Sequence, residues 1–472
     1  MASLRTREDV SSVIKAYDVR GVVGDEITPE FIRDTGAAFG FLLRGEGETT
    51  VAVGHDMRPS SPELAAAFAE GVTSQGLDVI MLGLTSTDQL YFAAGTLECA
   101  GAMFTASHNP ARYQGFKLKG GYGGSATDAT YRSVAGRVAH TGPGDVRWGG
   151  PEPEAFDVRE DYYDALDRLL DLSLPTSRAG LVVHDAMGGA AAGWLRDYAE
   201  RRGFRIQVAE FRSHPDPLFY GVNPEPIEQN LQAAREVAWE HGPLFVSATD
   251  GDGDRLGVVL PDGSFFNSHQ IFAVLLQHLH GRGLGGRVVK TFTVSRVIER
   301  LAARLGLSVT ETPVGFKHIV QAMLEGDVLI GGEESGGIGV QGHIPERDGI
   351  LNTLLLLEAV LASGKGLAEL FRGAEELAGI THAYDRVDLQ LGDTALKDRL
   401  MAALEGPRTQ FAGHGVLSIE RLDGVKLNFT DGSWLLFRAS GTEPVLRIYC
   451  EAATAVQVGR LLDAAVAFTR GQ

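Results

Sequence analysis

A serine, a histidine and a lysine lie close together in one polar loop of the chain. The stretch from Thr105 to Lys117 reads TASHNPARYQGFK and follows an apolar run, residues 100–104, that predicts a short buried strand. In an open α/β sheet, ligands bind at the loops after such strands. Ser107 could act as a nucleophile, and His108 or Lys117 could move protons or hold phosphate oxygens. Taken alone, the stretch is equally compatible with a surface turn.

Three aspartates alternate with glycines in a second loop, which also follows an expected strand. Asp250, Asp252 and Asp254 can turn toward one point because the glycines let the backbone curl. Carboxylate oxygens suit Mg²⁺. A calcium EF-hand loop is excluded, since its sixth position is Arg255 and its twelfth is Pro261. A plain acidic turn is the alternative, and it leaves the adjacent arginine unexplained.

Two further loops carry groups that could hold a phosphorylated sugar. In the glycine-rich stretch GGEESGG, Glu333 and Ser335 could accept from and donate to adjacent hydroxyls. Taken alone, the stretch is equally compatible with a glycine-rich turn that has no function. The stretch RASGTEP, residues 438–444, combines hydroxyls, backbone donors and an arginine, and Arg447 follows it. These groups could form an anion-binding cup. The alternative is a hairpin loop with exposed arginines. Because the cup lies far along the chain from Ser107, it implies a substrate that brings its own phosphate.

Single cations accompany these loops. Arg20 stands before a glycine, where we expect a turn, and Lys317 and His318 stand after an expected strand. Each of them, taken alone, is typical of a solvated surface side chain.

The order strand, polar loop, helix recurs three times, beginning near residues 51, 181 and 288. This pattern predicts an α/β fold of three similar α/β domains with mixed, largely parallel sheets. The last hundred or so residues differ. They predict a hairpin with an Asp431-Gly432 type I′ turn, a further strand and a closing helix, which together form a smaller C-terminal α+β domain. We place the four domains at residues 1–153, 154–261, 262–378 and 379–472.

Composition limits the partners and the compartment. The 472 residues carry a net charge of −18 with a pI near 5.2, so a general affinity for nucleic acid or for an anionic membrane is excluded. Cys99 and Cys450 form no metal-ligand spacing and no disulfide framework, which favours a reducing cytoplasm. We expect no signal peptide and no membrane span.

Taken together and in this order, the loops resemble those of the α-D-phosphohexomutase family, the phosphoglucomutases and phosphomannomutases. The match runs from KAYDVRG at Lys15 through TASHNP, DGDGDR and GEESGG to RASGTEPVLR, which ends at Arg447, with support from VNPEP, TPVGFK and RDG. The resemblance implies four domains arranged around a central cleft, which contribute in chain order a phosphoserine loop, a metal-binding loop, a sugar-binding loop and a phosphate-binding loop.

The resemblance also implies a mechanism. Phosphohexomutases interconvert hexose 1-phosphate and hexose 6-phosphate through a phosphoserine and a hexose 1,6-bisphosphate, which also serves as activator. Ser107 would carry the phosphate, and Mg²⁺ would join it to Asp250, Asp252 and Asp254. The groups around the transferring phosphoryl group would be Arg20, His108, Lys117 and Arg255. The groups that bind the substrate would be Lys317, His318, Glu333, Ser335, Arg438, Ser440, Gly441, Thr442 and Arg447.

Two departures concern the preferred sugar. Many members of the family have histidine after the glycine of the sugar loop, where this chain has Gly337, and often asparagine where it has Gln114. Glucose is the expected sugar, with mannose as a second substrate. Phosphoglucosamine mutase, pentose phosphate mutase, a sugar phosphatase and a non-catalytic sugar-phosphate binder are the alternatives. The partners are therefore small sugar phosphates, and the chain is expected to be a monomer or homodimer.

Overall fold

The chain forms two compact units, which are described separately below. The computed structural model describes residues 10, 13–15, 18–139, 150–391, 394–439 and 445–470. The first unit comprises Met1–Ser268 and Ser335–Ala368, and the second comprises His269–Glu334 and Glu369–Gln472.

The first unit begins with an α/β module built on one mixed sheet. Its strands are β1 (Val19–Val22), β2 (Thr50–His55), β3 (Asp78–Leu84), β4 (Ala100–Phe104), β5 (Tyr113–Gly120), β6 (Gly124–Ser125) and β7 (Glu154–Ala155), in the order β1-β5-β4-β2-β3-β7 with β6 on β5. Its helices are α1 (Pro29–Glu46), α2 (Ser61–Thr73), α3 (Thr87–Thr96) and α4 (Asp128–Val138). Strands β2, β3 and β4 are parallel, and β5 runs antiparallel to β4.

The end of β4 is fixed by burial. All five residues of this strand are buried, and Phe104 packs against Phe68 and Phe116 in the core below it. Because parallel strands buried on both faces read as continuous apolar runs, the strand was recognisable from the sequence. Its carboxyl end therefore has a fixed position. The loop that carries Ser107, residues 105–113, begins there and is called the serine loop below.

One local prediction for this module was wrong. Arg20 lies inside β1, paired with Gly115, and not in a turn. Pairing with β5 placed in a strand a residue that the local pattern had assigned to a turn.

A second α/β module completes most of the first unit. Its sheet holds β8 (Gly180–Asp185), β9 (Ile206–Phe211), β10 (Val246–Thr249), β11 (Leu256–Val259) and β12 (Phe265–Phe266), in the order β12-β11-β10-β8-β9. The helices are α5 (Arg159–Leu169), α6 (Ser173–Ser177), α7 (Trp194–Arg201) and α8 (Gln232–His241). Helix α7 begins at Trp194, directly after Gly193, which has a positive φ of 85°.

The third α/β module lies in the second unit. Helix α9 (Ser268–Gly281) leads into β13 (Arg287–Thr291), α10 (Arg296–Arg304), β14 (Val309–Thr312), α11 (Phe316–Leu324) and β15 (Val328–Gly332). Strand β13 pairs in parallel with both β14 and β15. The chain then contributes β16 (Ile338–Val340) and the buried helix α12 (Gly349–Ser363) to the first unit, and α13 (Leu367–Ala378) follows.

The C-terminal domain is an antiparallel sheet with two helices. Strands β17 (Ala383–Gln390), β18 (Gln410–Phe411), β19 (His414–Glu420), β20 (Val425–Phe429), β21 (Trp434–Ala439) and β22 (Val445–Ala452) lie in the order β17-β22-β21-β20-β19-β18. The helices are α14 (Thr394–Glu405) and α15 (Ala455–Arg470). The prediction of three α/β domains and a smaller α+β domain is thus confirmed, whereas the three boundaries between the domains remain predictions.

The predicted hairpin of β20 and β21 exists, but its turn is not of type I′. A type I′ turn needs a positive φ at both central residues. Gly432 has a φ of 88°, while Asp431 keeps a negative φ and instead accepts hydrogen bonds from the Ser433 amide and hydroxyl. The carboxylate therefore stabilises a longer loop in place of the two-residue turn.

No helix in the described part of the chain is both long and apolar enough to cross a membrane.

Candidate active site

Ser107 lies in a strained loop at the end of β4. It has a positive φ of 51° although it is not glycine, and it is 2 % exposed. The loop is held by the Ser107 amide, which donates to Thr105 Oγ1 (2.8 Å), and by the Asn109 amide, which donates to the Ala106 carbonyl (3.0 Å). A non-glycine residue keeps such a conformation only where its surroundings impose it. The hydroxyl is thereby directed to the second module, where it donates to Asp250 Oδ2 (3.2 Å).

The three aspartates form one buried cluster between β10 and β11. Asp250, Asp252 and Asp254 are each 0 % exposed, and one carboxylate oxygen from each lies within 4.8 Å of the others. Asp252 Oδ1 and Asp254 Oδ1 have no hydrogen-bond partner among the described residues. Buried carboxylate oxygens without donors suit a hard divalent cation, so these residues fit Mg²⁺.

Three cations from three different elements face this cluster. Lys117 Nζ, on β5, donates to Asp252 Oδ2 (2.7 Å) and lies 3.4 Å from Asp254 Oδ2. Arg255 Nε lies 3.7 Å from Asp250 Oδ2. Arg347 Nη2, just before α12, lies 2.9 Å from Asp254 Oδ2. Without these charges the buried carboxylates would repel one another and could not all ionise.

The pKa directions follow from these contacts. Burial and the other two aspartates raise the pKa of Asp250. Burial alone would raise the pKa of Asp252, but Lys117 lowers it well below its usual range. Burial lowers the pKa of Lys117, yet the charges of Asp252 and Asp254 outweigh it and raise the pKa. Burial and the charges of Arg255 and Arg20 lower the pKa of the His108 imidazole.

Arg20 and His108 belong to the surroundings of the serine. The Arg20 guanidinium donates to Asn109 Oδ1 (3.2 Å) and pairs with Asp18 Oδ2 (3.0 Å). His108 Nδ1 lies 3.4 Å from Ser107 Oγ. All the candidate residues for phosphoryl transfer therefore lie on or beside the serine loop and the aspartate cluster.

Thr87, at the start of α3, was not recognised from the sequence. Its hydroxyl donates to Asp252 Oδ2 (2.7 Å) and its amide donates to the Asp252 carbonyl (2.8 Å). The preceding Ser86 forms a capping box with Gln89, which fixes this helix end. The pattern STDQ could have indicated the capping box, but nothing in it indicates the aspartate that Thr87 contacts.

Arg347 was quoted only as part of the motif RDG, and its position depends on a glycine. A Cβ atom added at Gly337 would lie 2.3 Å from Arg347 Cδ. A Cβ added at Gly349 would lie 2.4 Å from the carbonyl oxygen of Gly253, in the aspartate loop. The RDG segment and the second half of the GGEESGG stretch therefore pack tightly beside the aspartates. Ser335 belongs to this part of the first unit.

Gln114, the other departure from the family pattern, is a buried structural residue of the first module. Its side-chain amide donates to Ser61, and its carbonyl accepts from the Gly115 amide (2.9 Å). Gln114 is 0 % exposed. It therefore braces α2 against β5.

The second unit holds the other candidate substrate residues. Glu333, at the end of β15, accepts a hydrogen bond from the Gly315 amide (2.9 Å), just before Lys317 and His318 in α11. In the C-terminal domain, Arg438 donates to Asp423 Oδ2 (3.0 Å). Ser440, Gly441 and Thr442 lie outside the described residues.

Two arginines stand side by side at the end of the C-terminal sheet. Arg438 on β21 is the direct partner of Arg447 on β22. Directly opposed residues of an antiparallel pair share one face, and like charges there are unfavourable. Arg447 Nε lies 3.6 Å from Asp388 Oδ2, which partly compensates. An anion between the two guanidinium groups would offset the remaining repulsion.

Comparison with known proteins gives matches along most of the chain. Models of the phosphoglucomutase/phosphomannomutase α/β/α domains I, II and III match residues 11–143, 160–263 and 267–377, and the model of the C-terminal domain matches residues 389–467. A Thermococcus kodakarensis phosphoglucomutase/phosphomannomutase is 33% identical over 92% of this chain and 93% of its own. The phosphoglucosamine mutase of Mycobacterium marinum is 32% identical over 94% and 95%.

One solved structure is similar over nearly its full length. A Thermus thermophilus chain, described provisionally as a phosphomannomutase, is 42% identical, covers 97% of this chain and 98% of its own, and has a TM-score of 0.87.

Proposed function

The chain belongs to the phosphoglucomutase/phosphomannomutase family, and from this premise we propose that it is a phosphohexomutase that interconverts hexose 1-phosphate and hexose 6-phosphate. The observation that carries the proposal is the position of the buried Ser107 hydroxyl. Its Oγ lies 3.2 Å from Asp250 Oδ2, next to a cluster of carboxylates and cations. A hydrolase would need a base to activate water and no second phosphate site. A serine that carries a phosphate group needs nearby carboxylates to hold a metal ion and nearby cations to hold the phosphoryl oxygens.

Ser107 is the proposed phosphate carrier. A phosphoserine brings about −1.5 to −2 charges at neutral pH, and beside a cluster of three aspartates it needs a divalent cation. Asp250, Asp252 and Asp254, with the phosphate on Ser107, would hold Mg²⁺, which neutralises charge on the phosphoryl oxygens when bound.

The transfer step is balanced by one proton. The bond between phosphorus and Ser107 Oγ breaks, and a bond forms to a hydroxyl oxygen of the sugar. The proton of that hydroxyl goes to a base of the protein, and Ser107 Oγ takes up a proton as it leaves, which restores the serine hydroxyl. Arg20, Arg255 and Lys117 would hold the phosphoryl oxygens during transfer. The reverse step, from the other end of the bisphosphate, restores the phosphoserine.

His108 and Lys117 are the two candidates for the base. His108→Gln and Lys117→Met separate them, because loss of a general base lowers kcat by about 10²–10⁴-fold. The variant with the larger loss of kcat, with its KM for the sugar phosphate unchanged, identifies the base.

Further residues would recognise the rest of the substrate. Glu333 and Ser335 would bind sugar hydroxyls. Lys317 and His318 would contact the sugar phosphate. The phosphate that does not react would lie with Arg438, Arg447 and the segment Ser440, Gly441 and Thr442. The repulsion between the opposed arginines supports this role, since a bound phosphate relieves it.

Glucose phosphates, and mannose phosphates next, are the proposed substrates. The Mycobacterium marinum relative supports glucosamine phosphate as the second candidate. Hexose 1,6-bisphosphate is the proposed activator, and the free cysteines Cys99 and Cys450, both buried, support a reducing cytoplasm.

A substrate panel tests the function. Purified protein with Mg²⁺ and a trace of hexose 1,6-bisphosphate should convert glucose 1-phosphate into glucose 6-phosphate, and comparison with mannose 1-phosphate, glucosamine 1-phosphate and a pentose 1-phosphate ranks the sugars. No turnover of any of these, or release of inorganic phosphate at the same rate as isomerisation, would contradict the proposal.

A further inference from the structure

One buried arginine, Arg58, makes all its side-chain hydrogen bonds to the serine loop and to Asp56. Arg58 lies between β2 and α2, and its side chain is 0 % exposed. Its Nε donates to Asp56 Oδ2 (2.9 Å), and Asp56 Oδ1 accepts from the Arg58 amide (3.0 Å) and from the Ser61 hydroxyl. The carboxylate thus neutralises the guanidinium and fixes its orientation, which a buried charge requires.

The two terminal nitrogens of Arg58 bind main-chain carbonyls of the serine loop. Nη1 donates to the carbonyls of Pro110 (2.9 Å) and Tyr113 (3.1 Å). Nη2 donates to the carbonyls of Ser107 (2.9 Å) and Asn109 (2.7 Å). A guanidinium has five N–H donors in a fixed plane. All five are used, so none is left for a substrate.

This network offers a physical reason for the strained backbone of Ser107. Its positive φ of 51° is unfavourable for a residue with a side chain and must be imposed by contacts. The hydrogen bond from Arg58 reaches the carbonyl of Ser107 itself, and three more hold the carbonyls that follow. The guanidinium also lies over the Phe219 ring, 5.0 Å from its centroid, which limits its freedom.

We propose that Arg58 is a positioning residue, which holds the serine loop in the conformation that directs Ser107 Oγ to the aspartate cluster. The proposal rests on the proposed function of Ser107 as phosphate carrier. Arg58 acts through the backbone and touches neither the sugar phosphate nor the phosphoryl group. Lysine cannot replace it, because one ammonium group cannot reach acceptors on both sides of a planar fork.

The test compares Arg58→Lys with Arg201→Lys in the full-length protein. Arg201 is the matched control because its guanidinium pairs only with Asp197 and Glu160 on the surface, among the described residues. Hydrogen–deuterium exchange of the amides in residues 105–115 measures the loop directly. Uptake of phosphate by Ser107 from labelled hexose 1,6-bisphosphate, kcat, KM and the Mg²⁺ dissociation constant measure the chemistry, all well below the melting temperature of each variant.

Arg58→Lys should speed exchange in residues 105–115 and lower both kcat and the rate of phosphate uptake by about 100-fold, the usual effect of a small misplacement. KM and the Mg²⁺ dissociation constant should stay at the wild-type values, and Arg201→Lys should match wild type throughout. A merely structural role would lower the melting temperature and leave kcat per folded molecule unchanged.

Three results would overturn the proposal: wild-type exchange in residues 105–115, wild-type kcat, or a rise in KM at constant kcat, which would mean substrate contact. If the wild-type protein takes up no phosphate from any bisphosphate, the proposed function fails, and the exchange measurement alone decides the role of Arg58.

Discussion

The charges around Ser107 form a balance between three buried carboxylates and three cations. Lys117, Arg255 and Arg347 face Asp250, Asp252 and Asp254 from different parts of the first unit. Phosphoryl transfer depends mainly on positioning and on neutralised charge. Removal of one carboxylate should therefore disturb metal binding more than folding.

Asp252→Asn tests this balance. The amide keeps the shape of the side chain but lacks the charge that pairs with Lys117. We expect Mg²⁺ affinity to fall by at least about 10-fold and kcat by about 100-fold, measured by calorimetric titration and by turnover at saturating Mg²⁺. The control is Asp262→Asn, an exposed aspartate of the same module. Equal Mg²⁺ affinity in both variants would contradict the assigned metal site.

The sequence predicted the candidate serine and aspartates of the site but not the residues that hold them in place. Ser107 and the aspartates are recognisable because each stands in a short polar loop after an apolar strand. Arg58, Thr87 and Arg347 reach the same site through contacts between residues far apart in sequence, and no local pattern records such contacts.

Tight packing at two glycines fixes the positions of Arg347 and of the aspartate loop. Gly337 leaves the space that the Arg347 stem occupies, and Gly349 packs on the backbone of the aspartate loop. These positions link the segment around Gly337 with the aspartate loop. The departure from the family pattern at Gly337 thus has a structural consequence, which is the placement of a cation on Asp254.

Gly337→Ala should displace Arg347 from Asp254. The added Cβ would lie 2.3 Å from Arg347 Cδ, so the arginine must move. We expect the apparent Mg²⁺ affinity to weaken by about 10-fold, as for loss of a group that orients a metal ligand. Gly366→Ala is the control, because a Cβ there meets nothing within 4 Å. Wild-type Mg²⁺ affinity in Gly337→Ala would show that the contact is without consequence.

In the second unit a buried carboxylate joins several elements. Glu451 on β22 pairs with His382 (2.7 Å) and accepts from the Arg296 amide (3.0 Å), the Trp434 indole (2.5 Å) and Ser295. Burial would raise the pKa of Glu451, but these donors and the charge of His382 lower it below its ordinary value of 4.5. The ionised form is therefore the one that stabilises the fold.

Glu451→Gln should cost about 1.5–3 kcal/mol of unfolding free energy at neutral pH, the range for hydrogen bonds to a charged group. A lowered pKa means that this stabilisation is present above pH 4.5 and is lost as the pH falls through the folded-state value. The difference in Tm between Glu451→Gln and wild type should therefore shrink as the pH falls below 4.5. Glu376→Gln, at an exposed position, is the control. A pH-independent difference in Tm would refute this account.

The hairpin of β20 and β21 illustrates what local patterns miss. The strands were predicted because their apolar runs are bounded by turn residues, but the turn type was wrong since Asp431 hydrogen-bonds to Ser433. Side-chain capping of this kind competes with backbone turn preferences, and the dipeptide alone does not reveal which interaction is stronger.

Across the whole molecule, the four family matches and the two compact units divide the chain differently. The matches follow the predicted order of four modules. The compact units instead join the first module with the second and with residues 335–368, and the rest of the third module with the C-terminal domain. The order of domains was predictable because three modules repeat a strand, loop and helix pattern and the last hundred or so residues do not. Their grouping depends on contacts between modules, such as that of Thr87 with Asp252.

Asp423 joins the third module to the C-terminal domain within the second unit. Its Oδ2 accepts from the Val314 amide (2.9 Å) and from Arg438 Nε (3.0 Å). Asp423→Asn should loosen Arg438 and raise KM for the sugar phosphate about tenfold, the equivalent of about 1.4 kcal/mol, with kcat little changed. Asp463→Asn, on the exposed face of α15, is the control. An unchanged KM would separate Arg438 from substrate binding.

The central claim is that Ser107 carries the phosphate between substrate and product. The direct measurement is to incubate the protein with Mg²⁺ and hexose 1,6-bisphosphate labelled in its phosphates, map the label by peptide analysis, and chase it with unlabelled glucose 1-phosphate. The account predicts label on the peptide that contains Ser107, its return to the sugar during the chase, and no label or turnover in Ser107→Ala. Label on another residue, its release as inorganic phosphate, or wild-type turnover by Ser107→Ala would contradict the account.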